Sequence, residues 1–305
     1  MNFKNKDIIS IKDFSKEEII HILETAKKIE SRKAKPSLRG KIMGSLFFEP
    51  STRTKLSFES AMKRLGGRVI GFDSAEASSA KKGETIHDTI KMVEIYADVI
   101  VIRHPLEGSA RVAAEATEKP VINAGDGANQ HPTQTLLDLY SIKKTQGRLT
   151  GLNVALVGDL KYGRTVHSLL MALSHFNCRI FFVSTESLRI PKTYLDFLAS
   201  KNISYSEHEN PEEIIDKVDV LYATRIQRER FPDEAEYEKV KNAYVIKSSM
   251  LSNVRKNLKI MHPLPRVNEI DMSVDKTPYA YYFKQAAMGI PVRQALLCLT
   301  LGVLK

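Results

Sequence analysis

Short runs of apolar and β-branched residues recur along the chain, and stretches with helical character separate many of them. Continuous apolar runs of this kind are typical of parallel strands that are buried on both faces. The runs that predict strands are 42–48, 68–72, 98–103, 121–123, 153–157, 179–183, 218–223, 243–247 and 258–261. The stretches that predict helices are 52–65, 85–96, 133–146, 165–175, 194–201 and 211–217. The alternation predicts an α/β fold with two doubly wound domains, each with a central parallel β-sheet flanked by helices.

A polar segment with two glycines, 144–152, separates two such series. Polar, glycine-containing segments between periodic elements are typical of domain boundaries. We expect a first domain at 1–132, a linking helix at 133–150 and a second domain at 151–285, each domain with a sheet of four or five strands. The last stretch, 286–305, contains an apolar helix that we expect to pack back on the first domain.

The composition indicates a globular protein with a sizeable core, since 43% of the 305 residues are hydrophobic and 27% are charged. No apolar run reaches the roughly 18 residues that a membrane span needs. The first residues lack the apolar centre of a signal peptide, which favours a cytoplasmic protein with no membrane partner. Cys178 and Cys298 are far apart and have no metal-binding spacing, so we expect two buried thiols and no metal or other cofactor.

The formal net charge of +10 leaves the partner open, because nucleic acid, an anionic surface and anionic small substrates all suit a basic protein. The densest basic cluster lies within 27–41. No aromatic residues interleave with it to form a stacking platform for bases. We therefore expect a solvated helix end and loop there, and no nucleic-acid partner.

The segment 49–58 is the most informative for chemistry, because a predicted strand leads into Pro50 and a helix follows. Ser51 is a suitable N-cap residue, and a helix start attracts phosphate through its free N–H groups and its dipole. Hydroxyls at Ser51, Thr52 and Thr54 and the guanidinium of Arg53 add donors at the same place. The alternative is an ordinary capped helix with a surface arginine. No P-loop or dinucleotide-binding glycine motif is present.

Three further segments place polar groups near strand ends or in a long loop. Arg103 ends a predicted strand, and such ends line ligand crevices in open α/β sheets. The segment 123–134 ends in a histidine and two amides at a helix start, where His131 could donate a hydrogen bond to a carbonyl oxygen. The small, polar loop 73–84 is long for a connection, which favours a function, although a plain surface loop fits as well.

These stretches together resemble the carbamoyltransferase family, over nearly the whole chain from residue 47 to residue 297. The matching motifs, in order, are Phe48-Glu-Pro-Ser-Thr-Arg-Thr54, Lys82-Gly-Glu84, Arg103-His-Pro105, Asn129-Gln-His-Pro-Thr-Gln134, Gly158-Asp-Leu-Lys-Tyr-Gly-Arg-Thr-Val-His-Ser168, Thr224-Arg-Ile-Gln227 and His262-Pro-Leu-Pro-Arg266. The later motifs resemble the aspartate branch of the family. The ornithine branch typically has a cysteine in the loop that here runs from 262 to 265.

The resemblance implies transfer of a carbamoyl group from carbamoyl phosphate to L-aspartate, an early step of pyrimidine biosynthesis. The residues implied to bind carbamoyl phosphate are Ser51, Thr52, Arg53, Thr54, Arg103, His131, Gln134, Leu264 and Pro265, with Ser78 of an adjacent subunit. The residues implied to be catalytic are Arg53, Thr54, His131 and Gln134. The resemblance also implies a homotrimer, and it allows a larger complex with zinc-containing regulatory chains.

The resemblance assigns the aspartate pocket to Arg164, Arg225 and Gln227, with Lys82 of an adjacent subunit. A dicarboxylate needs cationic clamps, and arginine suits bidentate pairing with carboxylates. Both arginines follow predicted strands of the second domain. The alternative is that they form surface ion pairs with Asp159 and Glu229.

No Ser-His-Asp or Cys-His arrangement is evident in the sequence, so we expect direct attack of the aspartate amine without a covalent enzyme intermediate. Two other functions stay open at this point. An ornithine-type carbamoyltransferase would need an acidic group for the side-chain amine of its substrate. A nucleic-acid-binding protein would bind with a steep salt dependence.

Overall fold

The computed structural model describes residues 1–228, 233–241 and 243–305. Its contacts divide the chain into two compact units. One unit comprises Met1–Leu137 together with Met288–Lys305, and the other comprises Asp138–Ala287. The division falls within helix α5, Pro132–Gln146.

The first unit is built around a parallel sheet with the strand order β2-β1-β3-β4. Its strands are β1 Ile42–Phe47, β2 Arg68–Phe72, β3 Val99–His104 and β4 Val121–Asp126. Residues of β3 and β4 are almost entirely buried, as continuous apolar runs predict for strands covered on both faces. The edge strand β2 is mostly exposed.

Helices surround the sheet of the first unit. They are α1 Lys16–Glu30, α2 Thr52–Arg64, α3 Ile86–Tyr96, α4 Ser109–Glu115 and the C-terminal α10 Gly289–Thr300. Ser15 begins α1 with a capping box, in which its hydroxyl accepts from Glu18 N–H and the Glu18 side chain accepts from Ser15 N–H. Helix α10 is buried along nearly its whole length and packs against α1 and α2.

The second unit is built around a parallel sheet with the strand order β7-β6-β5-β8-β9. Its strands are β5 Asn153–Val157, β6 Arg179–Val183, β7 Tyr205–His208, β8 Val220–Ala223 and β9 Lys259–Met261. Its helices are α6 Arg164–Leu173, α7 Lys192–Ser200, α8 Glu234–Val240 and α9 Tyr282–Ala287, and α5 begins in the first unit and continues here. Its core is formed by buried aliphatic and aromatic residues of β5, β6, β8 and β9 and of the segments between and after them.

The predicted α/β fold with two parallel sheets flanked by helices is confirmed, with four and five strands among the described residues. The strand predicted at 243–247 is wrong, because only Ile246 bridges to a neighbour, Ile270. The fifth strand is instead β7, which alternates exposed and half-buried residues at the sheet edge. The helix predicted at 211–217 is a short 3₁₀ turn, Pro211–Glu213.

The structure also shows the environment of the two cysteines and of the basic cluster after α1. Cys178 and Cys298 are buried free thiols, and burial raises the pKa of Cys178 to about 11 and that of Cys298 to about 12. The basic residues 32, 33, 35 and 39 are exposed in the loop after α1, as expected for a solvated helix end. Among the described helices, none is long and apolar enough to cross a membrane.

Candidate active site

The first unit has a topological switch point at the carboxyl ends of β1 and β3. The chain passes from β1 to β2 on one side of β1, and β3 pairs with its other side. Open α/β sheets bind ligands at such points. Phe47 at the end of β1 pairs with Arg103 at the end of β3, and Phe48 N–H donates to the Arg103 carbonyl at 2.9 Å. The segment 48–54 and the side chain of Arg103 therefore start from adjacent positions.

Helix α2 begins directly after this point. Ser51 occupies the predicted N-cap position, but its hydroxyl makes no capping hydrogen bond, so it leaves the first-turn amides to other acceptors. Thr54 is buried, whereas Thr52 and Arg53 are exposed. A helix start with uncapped amides and an arginine in its first turn is a general anion site.

Arg103 lies behind this helix start with its guanidinium held from two sides. Its Nη2 is 2.6 Å from Oε1 of Glu49, and its Nη1 donates to the Ala124 carbonyl at 3.3 Å. Its Nε is buried and has no hydrogen-bond partner among the described residues. Burial lowers the pKa of Arg103, Glu49 acts to raise it, and the charge of Arg53 acts to lower it further. An anion here would relieve the repulsion between the two arginines and satisfy the buried N–H.

The loop between β4 and α5 brings two more predicted residues to the same end of the sheet. His131 directly precedes α5, and Gln134 lies in its first turn. Both side chains are buried. Strand β4 is the neighbour of β3, so this loop lies beside the loop that follows Arg103.

The carboxylate of Asp126 holds these two neighbouring loops together. Its Oδ1 accepts from Gln130 N–H at 3.0 Å and from the Asn123 amide at 2.9 Å. Its Oδ2 accepts from the Asn129 side chain and from Gly108 N–H, both at 3.0 Å. Gly108 belongs to the loop after β3, so one buried carboxylate links the loops after β3 and β4. It thereby fixes the main chain next to His131.

The loop 73–85 also belongs to the first unit and consists of two 3₁₀ turns, Ala75–Ala77 and Ser79–Lys82. The hydroxyl of Ser78 donates to the Ala75 carbonyl at 2.8 Å and accepts from Ala80 N–H at 3.3 Å. The side chain of Lys82 is exposed. Both residues predicted to serve a neighbouring subunit thus lie on an accessible loop.

The second unit has its own switch point, at the carboxyl ends of β5 and β8. Strand β5 pairs with β6 on one side and with β8 on the other. Thr224 N–H donates to the Val157 carbonyl at 2.8 Å. Gly158 has a φ of +113°, and a Cβ there would lie 2.4 Å from the Thr224 carbonyl oxygen. Only glycine permits this close approach of the two strand ends.

Both predicted aspartate-binding arginines leave from this second switch point. Arg164 is the first residue of α6, and Arg225 follows β8 by two residues. Each side chain is half-buried. The described residues thus place two guanidinium groups after adjacent strands, as the sequence predicted.

Asp159 lies in the loop after β5, at this second switch point, and it is fully buried. It accepts from Tyr162 N–H at 2.9 Å and from Gln227 N–H at 3.4 Å. Burial raises the pKa of Asp159, while these hydrogen bonds and the charge of Arg225 act to lower it. The amide of Gln227 donates to the Tyr162 carbonyl at 3.2 Å. The charge of Arg225 thus acts on Asp159, one of the two partners in the alternative of ion pairs. The other partner, Glu229, lies outside the described residues.

The loop after β9 carries the predicted Leu264 and Pro265, joined by a cis peptide bond. Leu264 has a φ of +59°, in the left-handed region that costs a non-glycine residue about 1–3 kcal/mol. The imidazole of His262, which is fully buried, lies behind the loop. Its Nδ1 is 2.7 Å from Leu264 N, and its Nε2 is 2.6 Å from Oε1 of Glu269. The loop is therefore held in its unusual conformation by a buried side chain.

Three functional candidates escaped the sequence analysis: Glu49, Asp126 and Glu269. Glu49 stands at a strand end inside the motif 48–54, and that position could have drawn attention to it. Asp126 lies between two glycines, where a carboxylate is common in any turn. Nothing in the sequence marks Glu269. Among the described residues, no group of three or more His, Cys, Asp or Glu side chains is placed to hold a metal ion.

Comparison with known families gives two matches that together cover most of the chain. Residues 6–144 match "Aspartate/ornithine carbamoyltransferase, carbamoyl-P binding domain", and residues 150–300 match "Aspartate/ornithine carbamoyltransferase, Asp/Orn binding domain". The chain belongs to the aspartate/ornithine carbamoyltransferase family.

Individual relatives are similar over the whole length. The chain is 59% identical to the aspartate carbamoyltransferase catalytic subunit of Thermococcus onnurineus, with 100% of both chains covered. It is 56% identical to the catalytic subunit of M. jannaschii aspartate transcarbamoylase, with a TM-score of 0.89 and 96% of each chain covered. It is 39% identical to the Trypanosoma cruzi aspartate transcarbamoylase solved in complex with carbamoyl phosphate and aspartate, with a TM-score of 0.91 and 98% of each chain covered.

Proposed function

We propose that the protein is an aspartate carbamoyltransferase, which transfers the carbamoyl group of carbamoyl phosphate to the amino group of L-aspartate and releases phosphate. One observation carries the proposal: Arg103 presents a buried, unpaired Nε beside the uncapped start of α2. A phosphate group would accept from both. The relatives named for this activity are similar over the whole chain.

The first unit is proposed as the carbamoyl phosphate-binding domain. Ser51, Thr52, Arg53, Thr54 and Arg103 would hold the phosphate. Arg53, Thr54 and His131 would polarise the carbonyl oxygen. Gln134 and the carbonyls of Leu264 and Pro265 would accept hydrogen bonds from the carbamoyl NH2.

The second unit is proposed as the aspartate-binding domain. Arg164 and Arg225 would each pair with one carboxylate of aspartate, and Gln227 would assist them. This pair of cations favours a dicarboxylate over ornithine, whose side-chain amine is positively charged. An ornithine pocket would need an accessible acidic group for that amine. Asp159 does not provide one, because it is fully buried and accepts hydrogen bonds from backbone N–H groups.

The chemistry proposed is direct attack of the aspartate amine on the carbamoyl carbon. A tetrahedral oxyanion forms, the bond to the phosphate oxygen breaks, and the leaving phosphate takes the amine proton. Holding two reactants in attack geometry contributes about 7–11 kcal/mol. A donor such as His131 aimed at the oxyanion contributes about 3–4 kcal/mol. Neither of these two contributions to catalysis requires a covalent enzyme intermediate.

We further propose that the chain acts as a homotrimer, in which Ser78 and Lys82 complete the site of a neighbouring subunit. In support, the elements that flank their loop expose apolar side chains: Ile70 on the edge strand β2 and Met92, Ile95 and Tyr96 on α3. An edge strand and an apolar helix face are surfaces that a second copy would cover. Zinc-containing regulatory chains, a cytoplasmic location and a role in pyrimidine biosynthesis stay predictions.

The trimer proposal is tested by mixing two inactive variants, Lys82→Ala and Arg53→Ala. If the site is shared, some sites in a mixed trimer contain neither substitution, and activity returns on mixing. Activity that stays at the level of the separate variants would contradict sharing.

The function itself is tested with N-(phosphonacetyl)-L-aspartate, the ligand of a T. cruzi relative, which combines a phosphonate with aspartate. Isothermal titration should give tight binding to the wild-type chain. Arg103→Ala and Arg225→Ala should each weaken it, since they remove partners of opposite ends of the ligand. Wild-type protein that does not bind the ligand would contradict the proposed function.

A further inference from the structure

Glu269 lies at the centre of a buried group of hydrogen bonds behind the loop 262–265. Its side chain is only 4% exposed. One carboxylate oxygen, Oε1, faces Nε2 of His262 at 2.6 Å. The other, Oε2, accepts from the N–H groups of Val267 and Asn268, both at 3.1 Å. The carboxylate thus has three donors, and both of its oxygens act as acceptors.

These contacts define the protonation of His262. Leu264 N–H donates to Nδ1, which must therefore be unprotonated, so the imidazole is neutral and carries a single ring proton. Burial acts in the same direction, because it lowers the pKa of His262 against the raising effect of Glu269. Burial acts to raise the pKa of Glu269, but the hydrogen bonds from His262 and Val267 hold it below its ordinary value. A carboxylate can only accept, so Nε2 carries the proton. Nδ1 is then an acceptor, and it faces the N–H of Leu264 at 2.7 Å.

The main chain of His262 is fixed independently of its ring. His262 N–H donates to Oε1 of Gln285 at 2.8 Å, and the amide of Gln285 donates to Asp138 at 2.6 Å. Asp138 also accepts from the hydroxyl of Tyr222 at 2.8 Å. The main chain that carries the His262 ring is therefore held in place. Whether Leu264 N–H can donate to the ring then depends on which ring nitrogen is protonated.

We propose that Glu269 is a positioning residue, which holds the His262 proton on Nε2 so that Nδ1 can anchor the Leu264 amide. That anchor keeps Leu264 in its left-handed conformation and orients the carbonyls of Leu264 and Pro265. The inference rests on the proposed function, in which those two carbonyls hold the carbamoyl NH2. It adds a residue, Glu269, whose effect on the substrate passes through His262.

The substitution Glu269→Gln tests this, because glutamine has nearly the same shape but only one acceptor oxygen. If that oxygen accepts from Val267 and Asn268, the amide NH2 faces His262, and the ring proton must move to Nδ1. Nδ1–H then opposes Leu264 N–H, and the anchor is lost. The reverse orientation leaves the NH2 facing two backbone donors, which is worse.

His262→Asn is the matched variant. The asparagine Oδ1 can accept from the N–H two residues later, as in an Asx turn, and it has no tautomer to change. Glu269→Gln should therefore raise the KM for carbamoyl phosphate about tenfold or more in the wild-type background, with a much smaller effect in the His262→Asn background. The KM for aspartate should change little in both.

Ring ¹⁵N chemical shifts of labelled histidine give the second readout, and the signals that vanish in His262→Asn identify His262. The proton should lie on Nε2 in the wild type and on Nδ1 in Glu269→Gln. This readout does not depend on activity. It therefore tests the effect of Glu269 on the His262 tautomer even if the chain fails to transfer carbamoyl groups. An unchanged tautomer, or equal kinetic effects of Glu269→Gln in both backgrounds, would overturn the proposal. If Glu269→Gln alone is too unstable to purify, the double variant should still fold, and its failure to fold would also count against the proposal.

Discussion

The carboxylate of Glu49 lies 2.6 Å from the guanidinium of Arg103, at the carboxyl end of β3. The Arg103 side chain is 14% exposed and that of Glu49 is 29% exposed, so water screens this pair less than a surface pair. Glu49 thus balances the charge of Arg103 in the absence of an anion. In our account carbamoyl phosphate binds to the same guanidinium through its unpaired Nε.

Arg103→Lys should weaken carbamoyl phosphate binding although the charge is kept. Lysine has no fork of donors, so it cannot contact Glu49, the Ala124 carbonyl and a phosphate together. The KM for carbamoyl phosphate should rise about 10–100-fold, the value of one or two charge-assisted hydrogen bonds. Steady-state kinetics measures it. Arg111→Lys is the matched control, since Arg111 pairs with Asp13 on the exposed surface, and an equal effect there would contradict the assignment.

His131→Ala should reduce kcat far more than it changes either KM. A single oxyanion donor is worth about 10²–10³-fold in kcat. The control is His208→Ala, which removes a histidine from the edge strand β7, where it contacts Ser206 and Glu213. Turnover measurements at saturating concentrations of both substrates give the comparison. A His131→Ala protein with wild-type kcat would remove His131 from the mechanism.

Arg164→Ala and Arg225→Ala should each raise the KM for aspartate by about 10–100-fold, because each removes a charge-assisted partner of one carboxylate. The KM for carbamoyl phosphate should stay close to that of the wild type. Arg189→Ala serves as the control, since Arg189 forms an exposed ion pair with Glu209. If both substrates lost affinity equally, the two arginines would be acting on the fold and not on aspartate.

The stability of the fold should fall as the pH drops below about 6.5, the ordinary pKa of histidine. Burial lowers the pKa of several histidines, namely His21, His104, His167 and His262. The unfolded chain therefore binds protons at a higher pH than the folded chain, so their contribution to stability is present above pH 6.5 and is lost as the pH falls toward the lowered values.

His262→Asn should make this pH dependence weaker, because it removes one of these groups. Urea midpoints measured at a series of pH values for wild type and variant give the comparison. Carboxylates away from His262 cancel. Glu269, whose pKa His262 lowers, does not cancel, but losing that effect also weakens the fall in stability toward low pH. Parallel profiles for the two proteins would contradict the assigned protonation of His262.

The sequence predicted the buried strands well, because continuous apolar runs such as those of β3 and β5 have few alternatives. The prediction from sequence failed at the edge of the second sheet. Strand β7 alternates polar residues and was missed, whereas the apolar run at 243–247 forms only a single bridge at Ile246. An edge strand is defined by its neighbour β6, and that pairing is a long-range property that local hydrophobicity does not record.

The candidate site likewise contains residues that the sequence predicts and residues that it does not. Arg53, Arg103 and His131 could be predicted because each follows a strand or begins a helix in a recognisable motif. The supporting carboxylates could not. Asp126 gains its role from donors in two separate loops, and Glu269 from a histidine seven residues earlier and two backbone N–H groups. Such roles depend on which donors the folded chain brings together, and a single sequence does not contain that information locally.

The proposed function requires that this chain join a carbamoyl group to a dicarboxylic amino acid. The most direct test supplies carbamoyl phosphate with either L-aspartate or L-ornithine to the purified protein and measures the carbamoylated product and released phosphate. We predict N-carbamoyl-L-aspartate with one phosphate per product, and no citrulline above background. Citrulline formation without carbamoyl aspartate, or no product from either amino acid, would contradict the account.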